Sequence, residues 1–527
     1  MQVKLRIPVT FWRKAVQAAF LFLFLFLFRK TDYSGSDEIP YAVNLFFRWD
    51  PLVAASAMLA AKAFLAVLLP AVAVIVLTML LGRFFCGWVC PLGTLLDLAH
   101  RIIPPRPAGS GGRYRPVKYV LLGLILTGAL FGLPLVGYFD PFSILVRGMA
   151  VAVDPAFNLV VTSVFDWLYR NAPTWVTAVS EPVYTFLRTY ILPFHQTFFA
   201  LTLLSLAVLL AVFALERLER RFWCRNVCPL GAMLGLLARL SPLHWQPGIA
   251  CHARGCRACS DICRTGAINE TDGRISAESC ILCLDCVEAC PRSIIAFKFK
   301  KPAADPAPLN ISRRVFLGTL ATGILLPAFF RVRAGQKSPS PTLLRPPGAL
   351  AEEQFLGQCV RCGECMKVCI GNALHPTLLE AGAEGMFTPR LIPRLGYCEY
   401  NCTLCGQVCP TGAIRKLTLE EKHQTKMGRA WFDKNRCLPH ARGIPCLVCE
   451  EHCPTPDKAI KLRQVTVLDQ QGNEVMLQQP YVVDSLCIGC GICENKCPLP
   501  GDAAVHVNRE GESRSPNADL LITASYY

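Results

Sequence analysis

At 527 residues the chain is long enough for several domains, and with 53% hydrophobic residues, 17% charged residues and a mean hydropathy of +0.36 it is too apolar for an ordinary soluble protein. Its formal charge of +16 points to no nucleic-acid partner, because Lys and Arg cluster beside apolar segments and no stretch interleaves basic and aromatic residues as a strand-binding groove would. The charge reads instead as a signal of membrane topology.

Four apolar segments come first, at about 11–28, 63–82, 118–138 and 190–213, each near the roughly 20 residues that span a bilayer. Four such segments with charged connections are hard to hide in a soluble core, so they are predicted as transmembrane helices. Basic residues set the orientation. The tail 1–14 holds four, the loop 83–118 six and the stretch 217–239 five, against three each in 29–50 and 139–190, which puts the N-terminus in the cytoplasm. The loop 139–190, with Pro155, Trp167 and Trp175, is predicted as amphipathic helix on the outer membrane surface.

Segments two and four end in nearly the same string, Arg83-Phe84-Phe85-Cys86-Gly87-Trp88-Val89-Cys90-Pro91-Leu92-Gly93 and Arg221-Phe222-Trp223-Cys224-Arg225-Asn226-Val227-Cys228-Pro229-Leu230-Gly231. The helical part is therefore an internal duplication of a two-helix unit. Because two helices return the chain to the same side, both cysteine pairs should face the cytoplasm.

Beyond residue 245 a Cys-rich stretch of ferredoxin size runs to about 300 and is followed by a Pro/Ala linker at 302–308. Then comes Ser312-Arg313-Arg314-Val315-Phe316-Leu317-Gly318, an apolar run to Phe330 and a Pro/Ser-rich linker through Pro347. The Arg313-Arg314 string resembles a twin-arginine export signal, which serves proteins that acquire cofactors before crossing a membrane. The run is expected to remain as a fifth helix. Within 351–510, Val465–Leu468 and Val475–Leu477 flank Gln471-Gly472-Asn473 and read as a hairpin.

The cysteines carry the chemistry: 24 of 28 fall into six groups of four. Disulfides need sulfurs in pairs and zinc sites favour two C-x2-C knuckles or histidine, whereas C-x2-C-x2-C-x3-C followed by Pro is the bacterial ferredoxin run. Six 4Fe-4S clusters are predicted. Each contributes a net charge near −2 with its ligands, which would bring the chain to about +4. In such runs three sulfurs wrap one cluster and the fourth crosses to a neighbour. One cluster is assigned to Cys280, Cys283, Cys286 and Cys263, another to Cys251, Cys256, Cys259 and Cys290. The remaining groups are Cys359, Cys362, Cys365, Cys369; Cys398, Cys402, Cys405, Cys409; Cys437, Cys446, Cys449, Cys453; and Cys487, Cys490, Cys493, Cys497. These four groups pair either in sequence order or first with fourth and second with third. Short strings after the last cysteine, such as Thr411-Gly412-Ala413-Ile414 and Thr265-Gly266-Ala267-Ile268, are expected to cover a cluster and shield it from water. His375, His440 and His452 lie among complete four-cysteine groups and are assigned packing or surface roles. No nucleophile elbow, phosphate loop or dinucleotide fingerprint is present.

Cys86 and Cys90, like Cys224 and Cys228, are four residues apart, so each pair shares one helical face. Across a pseudo-twofold the four thiols would bind a further cluster or metal, or work as redox thiols; inert buried cysteines are the alternative.

Together these motifs resemble a fusion of two electron-transfer subunits of periplasmic nitrate reductase systems, a NapH-like part to about residue 300 and a NapG/MauM-like part from about 310. NosR and the methylamine-utilisation ferredoxins share pieces of the pattern. The expected fold is an internally duplicated α-helical membrane domain of four to five transmembrane helices plus two α+β bacterial-ferredoxin-like domains: 1–245 membrane, 246–300 a cytoplasmic two-cluster ferredoxin, 301–350 signal, fifth helix and linker, and 351–527 a periplasmic four-cluster ferredoxin. The resemblance implies a quinol dehydrogenase module of the bacterial inner membrane, taking electrons from the quinone pool and passing them to a periplasmic reductase or c-type cytochrome, with the Tat machinery as export partner. His195 and Asp140 are the polar residues placed near a quinone. Two alternatives remain: a metal-reducing or cofactor-assembly factor resembling the cytochrome oxidase accessory proteins that also carry C-x3-C-P, and an electron input whose clusters all face the cytoplasm.

Overall fold

The computed structural model describes residues 9–104, 114–193, 195–246, 256–269, 275–291, 295–299, 312–332, 340–468 and 474–514. The chain divides into two compact units. The first takes 1–28, 44–148 and 204–328, the second 29–43, 149–203 and 329–527.

Helices dominate the first unit. Helix α1, Val9–Lys30, contains neither Pro nor Gly, so nothing interrupts its 22 residues; it buries Phe24 and Leu27 and exposes Phe22, Leu25 and Phe26. Helix α2, Pro51–Ala61, starts where the Asp50 carboxylate accepts from the Leu52 and Val53 amides at 2.7 and 3.1 Å, with Pro51 in the first turn, where its missing N–H costs nothing. Helices α3 (Pro70–Leu81), α4 (Pro91–Ile102), α5 (Val117–Leu130) and α6 (Pro141–Gly148) follow. The chain returns to this unit with α9 (Thr202–Ala214), α10 (Pro229–Ala238) and most of α11 (Arg313–Val332). Strands β1 (Leu243–Gln246) and β2 (Ala296–Phe299) pair antiparallel around the Cys-rich stretch.

The helical boundaries depart from the sequence expectation for identifiable reasons. Pro70 splits the expected 63–82 span into a 3₁₀ turn, Ala66–Leu68, and α3. The 118–138 span stops at Leu130, because Gly132 turns with φ +79° and Pro134 follows. The 190–213 span reduces to α9, so His195 lies in an irregular exposed segment and in no helix. The stretch 139–190 is helical as expected, and within it α6 continues through a π-type turn, Met149–Val153, into α7, Asp154–Asn171. Pro155 sits in the first turn of α7, where it is tolerated. The charges that interrupt this run in the sequence find partners: buried Arg147 donates to the Gly137 carbonyl at 2.8 Å, and Asp154 pairs with Lys367 at 2.7 Å. The two described helices long and apolar enough to cross a membrane are therefore α1 and the 31-residue Pro141–Asn171.

The second unit comprises α7, α8 (Thr174–Tyr190), which lies against α7, and an α+β Cys-rich body. Its strands form antiparallel pairs: β3 (Leu374–Pro376) with β4 (Pro389–Leu391), β5 (Arg429–Phe432) with β8 (Val505–Asn508), and β6 (Ile460–Leu468) with β7 (Glu474–Val482). The last is the expected hairpin, longer than predicted, with Val465 opposite Leu477. Phe355, Met366, Val408, Val505 and several cysteines make one buried core. Lys367, between Cys365 and Cys369, is 7% exposed and bonds Asp32 and Asp154, each at 2.7 Å.

Candidate metal centres

Each cysteine run folds as a turn whose shape the spacing dictates. Between Cys359 and Cys365, Arg361 and Gly363 hold left-handed φ of 56° and 86°; between Cys280 and Cys286, Leu282 and Leu284 do so at 52° and 64°. Left-handed residues alternating with right-handed ones turn successive amides into the loop and make a concavity for an anionic group. The strain at Arg361 persists because its guanidinium is held from outside, donating to the Met386 carbonyl at 3.1 Å and the Glu384 carbonyl at 2.6 Å.

Four-cysteine cavities result. Cys359, Cys362 and Cys365 meet Cys409; Cys398, Cys402 and Cys405 meet Cys369. Likewise Cys437, Cys446 and Cys449 meet Cys497, while Cys487, Cys490 and Cys493 meet Cys453. The fourth sulfur thus crosses between groups in sequence order, the alternative that spacing left undecided. In the first unit Cys280, Cys283 and Cys286 meet Cys263. Burial, then Cys256 and Cys290, push the Cys259 thiol up, so these three share one neighbourhood; Cys251, the first member of that set, lies outside the described residues.

The cavities suit an iron–sulfur core. Their crossing cysteines accept backbone N–H···S bonds: Cys263 from Ala267 at 3.2 Å, Cys369 from Ala373, Cys453 from Ala459 and Cys497 from Ala504 at 3.3 Å, and Cys409 from Ile414 at 3.4 Å. Ala267 and Ile268, like Ala413 and Ile414, line cavities as the covering strings should. Burial pushes Cys365, Cys405 and Cys493 far above an ordinary thiol and Cys369 up to about 12. Four thiolates persist in such surroundings only around a cationic core. Among the described residues no three His, Cys, Asp or Glu side chains close around a single ion, so the sets fit a core of several atoms rather than one zinc ion.

The histidines take other partners. His375 is fully buried in β3, where burial pulls it down to about 4 and keeps it neutral, and its Nδ1 faces the Ala200 amide at 3.4 Å. His440 Nε2 donates to the Pro480 carbonyl at 3.0 Å and His452 Nδ1 to Val448 at 3.0 Å.

The duplicated C-x3-C-P strings also meet. Cys228 interacts electrostatically with Cys224, Cys86 and Cys90, and Cys90 with Cys224 and Cys86. The repeats clasp each other reciprocally: Arg221, 1% exposed, donates to the carbonyls of Cys86 at 3.1 Å and Gly93 at 3.0 Å, while Arg83, 2% exposed, lies so close to Gly231 that a Cβ there would sit 2.7 Å from its Nη2. Asp97 pairs with Arg221 at 2.7 Å. No carboxylate pairs with Arg83 among the described residues; its charge faces Cys86, whose sulfur is 3.8 Å away, and Cys228. Cys228 accepts from the Gly231 amide at 3.3 Å, the bond seen at the crossing cysteines.

A second pair of repeats emerges from the structure. Trp49-Asp50-Pro51 and Phe139-Asp140-Pro141 occupy equivalent places, each opening a helix, and their fully buried carboxyl groups are close enough to interact. Asp140 also accepts from the Ser143 amide at 2.7 Å. The Asp-Pro doublet was the available sequence signal for Asp50. Of the two residues proposed for a quinone, Asp140 is buried in this pair and His195 is exposed. Arg313 and Arg314 are exposed at the start of α11.

Sulfur-lined cavities on short α+β loops, repeated along a chain without another reaction site in its sequence, define an iron–sulfur electron-transfer protein of the ferredoxin type. Comparison with known proteins agrees. A family described as a 4Fe-4S binding domain matches residues 63–107 and 198–247, and one described as a 4Fe-4S dicluster domain matches 358–413. The methylamine utilization ferredoxin-type protein MauM of Methylorubrum extorquens is 36% identical over 208 residues, 38% of this chain and 90% of that protein. The ferredoxin-type protein NapG of Escherichia coli is 36% identical over 158 residues, 30% and 66% of the two chains, and the putative electron transport protein YccM of the same organism is 27% identical over 275 residues, 51% and 64%. No solved structure matches. The chain belongs to the MauM/NapG family of ferredoxin-type proteins.

Proposed function

We propose that the chain is a membrane-bound quinol dehydrogenase module that joins a NapH-like helical part to the MauM/NapG-like ferredoxin part, taking electrons from quinol and delivering them to a periplasmic reductase or c-type cytochrome. The observation that carries this reading is the coexistence of four-thiol cavities with helices whose outward side chains are apolar, among them Phe22 and Phe26 on α1, Val72 and Val76 on α3, and Val160 and Trp167 on α7. Such apolar surface suits lipid. The domain boundaries, the cytoplasmic place of 246–300, the periplasmic place of 351–527 and export through Arg313-Arg314 belong to the same proposal, supported by the distribution of basic residues and the twin-arginine string.

Six clusters are assigned to the four-cysteine sets above, with Cys251 completing the set of Cys256, Cys259 and Cys290. A bound cluster supplies one-electron storage; the residues supply thiolate ligands, amide donors to sulfur and an apolar cover that tunes its potential. The two segments matching the 4Fe-4S binding family contribute two clustered cysteines each, Cys86 and Cys90, and Cys224 and Cys228. Neither segment alone supplies four ligands, but together they do, and a seventh centre is assigned there.

The test uses full-length protein prepared anaerobically in detergent. Iron near 24 atoms per chain, rising to about 28 with the seventh centre, and paramagnetic reduced clusters on adding menaquinol are expected. Iron at that level with a spectrum left fully oxidised by menaquinol refutes quinol oxidation, and zinc in place of iron refutes the cluster assignment.

A further inference from the structure

The thiol set of Cys263, Cys280, Cys283 and Cys286 and the duplicated C-x3-C-P motif lie in the same unit, and their loops interlock. Left-handed residues Leu282 and Leu284 turn the amides of this loop toward its cavity, which leaves its carbonyls pointing away. Buried carbonyls need donors. Three successive ones face the helical part, and two of them find a donor there. The Ile281 carbonyl lies against the backbone of Gly87, where any Cβ would collide with it. The Leu282 carbonyl accepts from the Trp88 indole N–H at 2.9 Å, and the Cys283 carbonyl from Arg13 at 2.8 Å. Arg13, 1% exposed, also bonds Asp285 at 2.6 Å, while Gln17 on the same helix donates to the Gly87 carbonyl at 2.9 Å. The contact is thus clamped from both sides, and it falls one residue from Cys86 and one residue from Cys280 and Cys283.

We propose that this clamp makes the thiol site of Cys263, Cys280, Cys283 and Cys286 the direct electron partner of the four-thiol site at Cys86, Cys90, Cys224 and Cys228, with Gly87, Trp88 and Arg13 as the positioning residues. The inference rests on the reading that both sites hold iron–sulfur centres. The step is a transfer of one electron: one centre is oxidised as the other is reduced, with no bond made or broken and no proton moved, and quinol is the ultimate reductant. The route runs from the Cys86 thiolate through the Gly87–Trp88 backbone and the Trp88–Leu282 hydrogen bond to the loop that holds Cys280 and Cys283.

Two measurements on the full chain in detergent test it. In pulsed electron paramagnetic resonance, two paramagnetic centres in close contact relax each other, so the C86S/C224S double variant should lose about four iron atoms and its remaining ferredoxin signal should relax several-fold more slowly. The G87V variant should keep its iron and show weakened coupling. Hydrogen exchange of the amides at 281–285 should accelerate about tenfold in Trp88→Phe, the loss expected from one hydrogen bond, and by more in Arg13→Gln, which also breaks the buried pair with Asp285. Relaxation unchanged in C86S/C224S despite the loss of four iron atoms overturns the electron partnership. Iron unchanged in C86S/C224S overturns the seventh centre itself. Unchanged exchange at 281–285 in both single variants overturns the clamp.

Discussion

Lys367 offers the sharpest test of how the four-cluster body is held. Its ammonium bonds Asp32 and Asp154 at 2.7 Å each, and its side chain is 2% exposed, against 9% and 17% for the two carboxylates. Replacing it with Met keeps the length and removes the charge, which leaves Asp154 facing Asp32 across the gap, with Arg29, paired to Asp32, as the cation that stays. Breaking a buried pair by removing one partner costs about 3–5 kcal/mol, and the partial exposure of Asp154 argues for the lower end. About 3 kcal/mol corresponds to a rise on the order of a hundredfold in the population that has opened. Native-state hydrogen exchange of residues 364–369 in the full chain reads that population directly. A triple variant, K367M with D32N and D154N, removes the stranded charges and should recover most of the loss. Exchange in K367M equal to that of the parent, or a triple variant as labile as K367M, would refute the assignment of this triad as the tie.

Other outcomes follow from the same contacts. Burial alone would raise the Glu352 carboxyl, but Arg345 and Arg514 outweigh it and hold it down at about 2. A lowered carboxyl stabilises the fold above its unfolded value and loses that contribution as pH falls through the folded one, so E352Q should cost up to about 3 kcal/mol at pH 7 and progressively less below pH 4.5, as read by denaturant unfolding at matched pH. Changing Arg313 and Arg314 to Lys should abolish protease access to 351–527 from the periplasmic side of intact spheroplasts; unchanged access removes the export signal from the proposal. The adjacent buried carboxyls of Asp50 and Asp140 are expected to share a proton, so infrared spectra should contain a carboxylic-acid band that D140N removes, and a band that survives in both D50N and D140N places that proton elsewhere.

The groups of cysteines that line each cavity were legible in the sequence because cysteine spacing is a local code. Three sulfurs within seven residues, as in Cys359 to Cys365, fix the turn whatever the rest of the chain does, and the cavity lining repeats what the spacing implies. Which fourth sulfur crosses to which set was not legible, since Cys409 and Cys497 are the same Cys-Pro word and only tertiary packing separates their destinations. Helix boundaries failed where apolar composition outran backbone chemistry, at Pro70 and Gly132. The helical character of 139–190 was legible, but not the length of the continuous run Pro141–Asn171, whose charged Arg147 and Asp154 are satisfied by the Gly137 carbonyl and Lys367. Asp50 was silent because a lone Asp before Pro reads as a helix cap, and only its meeting with Asp140 makes it half of a pair.

That meeting exposes what the duplication does physically. Each repeat contributes two thiols, one buried arginine and one Asp-Pro carboxyl, and none of these is complete within its own repeat. Two thiols cannot enclose a cubane. The Arg83 guanidinium, which pairs with no carboxylate among the described residues, faces Cys228 of the other copy as well as its own Cys86, while Arg221 donates to carbonyls of the first copy. The buried Asp50 carboxyl of one copy meets the buried Asp140 carboxyl of the other, and two such groups in contact cannot both be charged. The same logic operates within the ferredoxin part, where Cys409 completes the set begun at Cys359 and Cys369 completes the set begun at Cys398. A half-built site therefore leaves buried charge or sulfur without a partner, at a cost of several kcal/mol. Cross-completion makes the intermediate states unstable relative to the whole, so the proposed centres would form only where both halves have folded around them.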